Sequence, residues 1–148
     1  MIISETVRVA AEPPVVYGAF ADLDRWVRIL PDVLDVEVFY FDGYNQEFSM
    51  TVERPGGPET VRGVRYHRPF RELELVQTTP PPGLSRMCGT WRFSDDGGST
   101  VVTATREFIL AGDRHAALGE EGFAAVLRTA LRTNLALFRK ALETDGTH

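Results

Sequence analysis

The residue pattern predicts an α+β fold in which a curved, seven-stranded antiparallel sheet wraps one long C-terminal helix. Three observations carry that expectation. Between Val33 and Leu110, turn signals cut the chain into six runs of alternating apolar and polar residues. A further alternating run stands at the N-terminus, and the chain closes on one amphipathic stretch at helical spacing. A single helix is small against so long a sheet. Inward side chains cannot easily fill the space between them, which predicts an internal pocket.

The elements follow in order. Ile3, Glu5, Val7 and Val9 alternate with Ser4, Thr6, Arg8 and Ala10, the mark of a first strand. Pro13-Pro14 ends it and opens a helix through Phe20, since proline suits the first helical turn. Asp22 is placed to cap a second short helix, Leu23 to Leu30, which Pro31 stops. Strands are then expected over Val33–Phe41, Tyr44–Glu53, Glu59–His67, Phe70–Thr78, Leu84–Phe93 and Ser99–Leu110. Asp42-Gly43 is the strongest hairpin signal between them. Asp95-Asp96-Gly97-Gly98 reads as another hairpin turn, because it lacks the ligand spacing of a calcium loop. The last helix is expected from about Ala116 to Glu143. Phe123, Leu127, Ala130, Leu131, Asn134, Leu135, Phe138, Ala141 and Leu142 form its apolar stripe.

Composition narrows the function classes. A chain of 148 residues, 43% hydrophobic and without repeats or linkers, is expected to be one domain over 1–148. A formal charge of −5 argues against nucleic acid or an anionic membrane as partner, since both demand a basic patch. Cys88 is the one cysteine, so no internal disulfide can form and a reducing cytoplasm fits. Met1 to Glu5 lacks the pattern of a secretory signal, and no apolar run has membrane-spanning length. His67, His115 and His148 lack metal-ligand spacing, so no metal site is expected. Cys88 has no histidine or acid placed to activate it and reads as an inert filler.

Period two assigns the strand faces. Phe48, Met50 and Val52 should face the helix, as should Leu73, Leu75 and Gln77, then Met87, Gly89, Trp91 and Phe93, then Val102, Ala104, Arg106 and Phe108. The fourth strand is ambiguous, with Val61, Gly63, Arg65 and His67 on one face and Thr60, Arg62, Val64 and Tyr66 on the other. Polar residues therefore enter the inward sets. An unpaired buried arginine costs several kcal/mol, and no acid clearly shares a face with these arginines. A partly wet pocket, reached by water or ligand, is the expectation. Snorkelling of a strand-end arginine to solvent is the alternative.

Asp22 to Pro31, followed by a meander and a long helix, resembles the START-type helix-grip superfamily, and within it the single-domain polyketide aromatase/cyclases. Trp26 matches the tryptophan of the second short helix, and Arg65 an arginine that the family places inside its pocket. Thr90-Trp91-Arg92-Phe93, Gly97-Gly98, Arg106-Glu107-Phe108 and Arg132-Thr133-Asn134-Leu135 resemble its last hairpin and helix. The resemblance turns Arg65 inward and Tyr66 outward. Gly63 and Val61 stand where aromatic side chains are usual, Val33 where a pocket tyrosine is, and Arg106 where a glutamine is. The pocket is thus less aromatic and more basic than the family pattern, which bears on the substrate more than on the fold.

The resemblance implies a cofactor-independent aromatase/cyclase in antibiotic biosynthesis. It would catalyse regiospecific aldol cyclisation and dehydration of a poly-β-ketone on an acyl carrier protein, acting as a monomer or homodimer. Such chemistry needs a folded chain, a cation for the developing enolate or alkoxide, and proton transfer. Arg65 and Arg106 are the candidate cations, and His67 (or Tyr66) the candidate proton carrier. Trp26, Phe48, Met50, Gln77, Met87, Trp91, Phe108 and Asn134 are the candidate substrate contacts. Each has a plainer reading: Arg65 as a structural hydrogen-bonder, His67 as a strand-end surface histidine, Asn134 as a local backbone cap, and the apolar side chains as ordinary core. The alternative function is non-catalytic binding, transport or sequestration of a hydrophobic small molecule, such as a quinone-like lipid or an aromatic natural product. A protein-interaction module is weaker, because it leaves the inward arginines without a purpose.

Overall fold

A computed structural model describes residues 1–81, 83–111 and 119–144. Its elements are β1 (Ile2–Val9), α1 (Pro13–Ala21), α2 (Leu23–Ile29), β2 (Val33–Phe41), β3 (Asn45–Val52), β4 (Glu59–Arg68), β5 (Glu72–Thr79), β6 (Leu84–Asp96), β7 (Ser99–Leu110) and α3 (Gly119–Thr144). The strands form one antiparallel sheet in the order β1-β7-β6-β5-β4-β3-β2. It is a meander from β2 to β7, with β1 added beside the last strand. The ladders differ in length. β6 and β7 pair from Leu84 to Asp96, whereas the β5–β6 ladder ends at Val76–Cys88, before β5 itself ends.

Local chemistry sets the corners. Asp22 Oδ1 accepts the Asp24 backbone N–H at 3.0 Å and starts α2 directly after α1. Asp42 accepts the backbone N–H groups of Asn45 (2.7 Å) and Tyr44 (2.9 Å), which close the β2–β3 hairpin and hold its carboxyl well below the usual range. Gly97 and Gly98 have φ of 62° and 91°, so both central residues of the β6–β7 turn are left-handed. This tight turn lets β6 run on to Asp96, past the expected end at Phe93.

α3 lies on the concave side of the sheet and buries Ala124, Leu131, Leu135, Phe138 and Leu142. Ala130, expected on the buried stripe, is exposed, because the buried face runs through Ala124 and Leu131 instead. The expected start of the helix at Ala116 lies outside the described residues. The Glu5 carboxylate of β1 accepts from Arg128 and Arg132 and ties this helix to the sheet edge. No helix among the described residues is long and apolar enough to cross a membrane.

Candidate functional site

Alternation on β4 turns Val61, Gly63, Arg65 and His67 inward and leaves Tyr66 exposed. Arg65 is only 1% exposed. Its guanidinium Nε donates to Gln46 Oε1 on β3 (2.9 Å), Nη1 to the Phe20 carbonyl (2.8 Å) and Nη2 to the Ala21 carbonyl (2.6 Å). Those carbonyls end α1, where the backbone has spare acceptors and a negative dipole end. The Trp26 indole N–H adds a second donor to the Phe20 carbonyl at 2.9 Å. Trp26, Trp91 and Phe48 surround the cation at 5.7, 5.8 and 5.9 Å from their ring centres. The expectation of a wet arginine is therefore corrected. Arg65 is satisfied within the chain by carbonyl oxygens rather than by an acid.

His67 is buried as well, which overturns the surface reading. Tyr17 of α1 and Phe41 of β2 close over it, the Phe41 ring centre lying 4.8 Å from the imidazole. An arginine Nε can only donate, so the Gln46 atom it meets is the amide oxygen. That same oxygen lies 3.0 Å from His67 Nε2, which must then carry the proton. His67 Nδ1 is left to accept from the Tyr17 hydroxyl at 3.2 Å. The result is a chain Tyr17–His67–Gln46–Arg65 with both imidazole nitrogens engaged. Burial, reinforced by the Arg65 charge, pushes the His67 pKa down to about 4, so the ring is neutral at pH 7. Burial also lowers Arg65 to about 9, still charged at neutral pH, and raises the Tyr17 hydroxyl.

Arg106 occupies a different setting. It is inward on β7, 8% exposed, and its guanidinium lies 4.4 Å from the Trp91 ring centre. Nη1 donates to the Thr105 carbonyl at 2.8 Å and reaches the Thr90 carbonyl only at 3.5 Å. No carboxylate among the described residues pairs with it. Burial lowers its pKa to about 10, which leaves it charged. Gly89, its cross-strand partner, makes the seat: a Cβ there would stand 2.1 Å from the Thr105 carbonyl oxygen and 2.8 Å from Arg106 Nη1. Gln77 faces inward beside Leu75, just past the last β5–β6 ladder pair, and its Oε1 is buried without a hydrogen-bond partner among the described residues.

The remaining predicted contacts all lie on this concave side. Trp26, Phe48, Met50, Met87, Trp91 and Phe108 are buried, while Gln77 and Asn134 are half-buried. Trp26 and Trp91 meet edge to face at 5.5 Å and join Phe20 and Phe138 in one aromatic block. Met87 and Phe108 are cross-strand partners, and Phe108 packs on Phe123 of α3 at 4.8 Å. Tyr17 and Gln46 are the polar residues that reading the strands overlooked. Gln46 was within reach, because it precedes Phe48 and Met50 in the same period-two set. Tyr17 had no strand signal to mark it. Cavities open on the surface among the described residues. One of about 330 Å³ lies between Gly18, Ala21 and Asp22 and the Val38–Phe41–Gln46 side, and one of about 220 Å³ is lined by Phe48, Arg62 and Gly63 among others. No cluster of three metal-ligating side chains occurs among the described residues, and His115 and His148 lie outside them.

A curved sheet gripping a long helix defines the fold class, and comparison with known proteins agrees. The fold is the START-type helix-grip fold. Residues 1–143 match the family described as polyketide cyclase/dehydrase and lipid transport, and the chain belongs to that family. It is 36% identical over 89 residues to the actinorhodin polyketide synthase bifunctional cyclase/dehydratase of Streptomyces coelicolor, a match covering 59% of this chain and 27% of that protein. The chain thus spans about a quarter of that relative's length. Among solved structures, the di-domain aromatase/cyclase StfQ from the steffimycin biosynthetic pathway superposes with a TM-score of 0.85 at 22% identity, over 99% of this chain and 52% of that one. The Zhui aromatase/cyclase from Streptomyces sp. R1128 gives 0.79 at 24% identity, over 98% and 92%.

Proposed function

We propose that this protein is a polyketide aromatase/cyclase that folds a carrier-bound poly-β-ketone against the concave face of its sheet and promotes aldol ring closure and dehydration. The observation that supports this most is Arg106, a buried and charged guanidinium with no carboxylate partner among the described residues, set on Trp91 and Gly89. Methylenes between two carbonyls are acidic, and their enolates place negative charge on oxygen. A fixed, desolvated cation is the device that stabilises such charge as it forms. Arg106 takes that role, with Trp91, Met87, Phe108 and Asn134 as walls for the curled chain. Phe48 and Met50 line the β3 side.

In this reading Arg65 and His67 are positioning residues. Three hydrogen bonds hold Arg65 to α1 and β3, and His67 is neutral with both nitrogens occupied. They fix α1 and α2 against the sheet beside the Trp26–Trp91 pair. The reaction calls on no cofactor, and the partner is an acyl carrier protein that presents the chain. A second reading, sequestration of an aromatic small molecule, draws support from the same His67 geometry, in which both ring nitrogens are engaged.

The test is to incubate the protein with a minimal polyketide synthase and its carrier protein and to analyse the products. The proposal expects a cyclised aromatic product that is absent without the protein. Unchanged shunt products, together with stoichiometric retention of an aromatic compound, would favour sequestration.

A further inference from the structure

We infer that Gln77 is a specificity-determining residue that accepts a hydrogen bond from a hydroxyl of the bound molecule, so that the site reads the enol or phenol form rather than the ketone. The inference deepens the proposed function and rests on the same interior site. Buried polar groups in folded proteins nearly always have partners, and an orphan carbonyl asks for a specific explanation. Gln77 Oε1 is such an orphan. Its side chain shares the inward face with Leu73 and Leu75, both buried. Across the ladder stands Gly63, which adds no side chain of its own. The β5–β6 ladder has just ended, and inward Met87 of β6 stands next beyond its last pair.

Chemistry decides what completes it. An amide oxygen accepts and never donates, so a ketone oxygen gains nothing there while a hydroxyl does. Arg106 offers the opposite polarity, since a guanidinium only donates. In the sheet, Arg106 pairs with Gly89, which pairs with Leu75, two residues before Gln77. At about 4.8 Å between strands and about 3.3 Å per residue, the two Cα atoms are roughly 12 Å apart, within reach of one molecule lying between their long side chains. An enolised β-diketone carries one accepting and one donating oxygen, and this pair matches both. Gln77 thus favours the tautomer on the path to the aromatic ring.

The test compares two probes of equal shape, 2-naphthol and 2-methylnaphthalene, titrated into the whole chain and followed by fluorescence. The wild type is expected to bind 2-naphthol about tenfold more tightly, the worth of one hydrogen bond made by an otherwise orphaned group. Gln77→Met should bind both probes with nearly equal affinity, and Gln77→Glu, which keeps an acceptor, should restore the preference. An undiminished preference in Gln77→Met overturns the inference, as does a wild type that binds neither probe or both alike. The cyclase reading fails separately. A protein that discriminates the probes through Gln77 but leaves shunt products unchanged keeps this inference and loses the catalytic one.

Discussion

Arg65 and Arg106 are both buried on the concave face of one sheet, and both remain charged at neutral pH, yet their surroundings are opposite. Arg65 lies against the end of α1, with three oxygen acceptors and three aromatic rings around it. Arg106 has one good hydrogen bond, one aromatic ring and a glycine beneath it. The same contrast separates the neighbouring amides. Gln46 Oε1 accepts twice, from Arg65 and His67, while Gln77 Oε1 accepts from no group among the described residues. A satisfied buried network fixes a shape, whereas an unsatisfied buried group is costly and asks for an explanation. The α1–α2 end is thus satisfied within the chain, and under the proposed function the β5–β7 end is the one that binds.

Breaking the first region should have the largest effect on stability. Arg65→Ala leaves the Ala21 carbonyl without its donor, takes one of the two donors from Gln46 Oε1 and empties a buried seat, and roughly 3 to 5 kcal/mol of unfolding free energy should be lost in urea titrations. Arg106→Gln should lose less than about 1 kcal/mol in the same assay, because few internal bonds depend on it. Equal losses would erase the distinction between the two ends.

Acid should act through the same region. The His67 pKa is about 4 in the folded chain and about 6.5 in a free histidine. Between these values the unfolded chain binds the proton and the folded one does not, so stability falls as pH drops from 6.5 to 4, by up to roughly 3 kcal/mol. Above 6.5 the contribution is fully present. His67→Gln should flatten this part of the stability–pH curve, and a variant curve parallel to the wild type would show that His67 is not the group responsible.

Smaller effects sharpen the second region. Gly89→Ala forces a methyl group against the Thr105 carbonyl and Arg106. It should cost about 1 to 3 kcal/mol and displace Arg106. Ring-closing activity should then fall by more than the loss of folded protein explains, as measured by product formed per folded molecule. Gln77→Met removes an orphan acceptor, so the ligand-free protein should gain up to about 1 kcal/mol. A loss of stability there would mean that the amide already has a structural role.

Much of this was legible in the chain. Asp22 as a cap, Asp42-Gly43 and Gly97-Gly98 as turns, and the inward faces of β3, β5, β6 and β7 all follow from local chemistry and period two. The orientations of Arg106 and Gln77 follow from the same rule, whereas alternation alone left Arg65 open and only the family resemblance turned it inward. What stayed hidden depends on elements distant in sequence. His67 looks like a strand-end surface residue until Tyr17 and Phe41 are seen to cover it, 50 residues away in the case of Tyr17. The carbonyls that satisfy Arg65 belong to a helix end 44 and 45 residues earlier, and backbone acceptors leave no trace in a side-chain pattern. Ala130 was misassigned because a broad helical stripe leaves its borders open by a residue on either side.

The most direct test of the account pairs two variants in one assay, Arg65→Lys and Arg106→Gln, each incubated with a minimal polyketide synthase and carrier protein at a temperature where both remain folded by circular dichroism. The account predicts that Arg65→Lys melts earlier but still yields the cyclised aromatic product per folded molecule, while Arg106→Gln melts like the wild type and yields shunt products. The reverse outcome, full cyclisation by Arg106→Gln and none by folded Arg65→Lys, would contradict it.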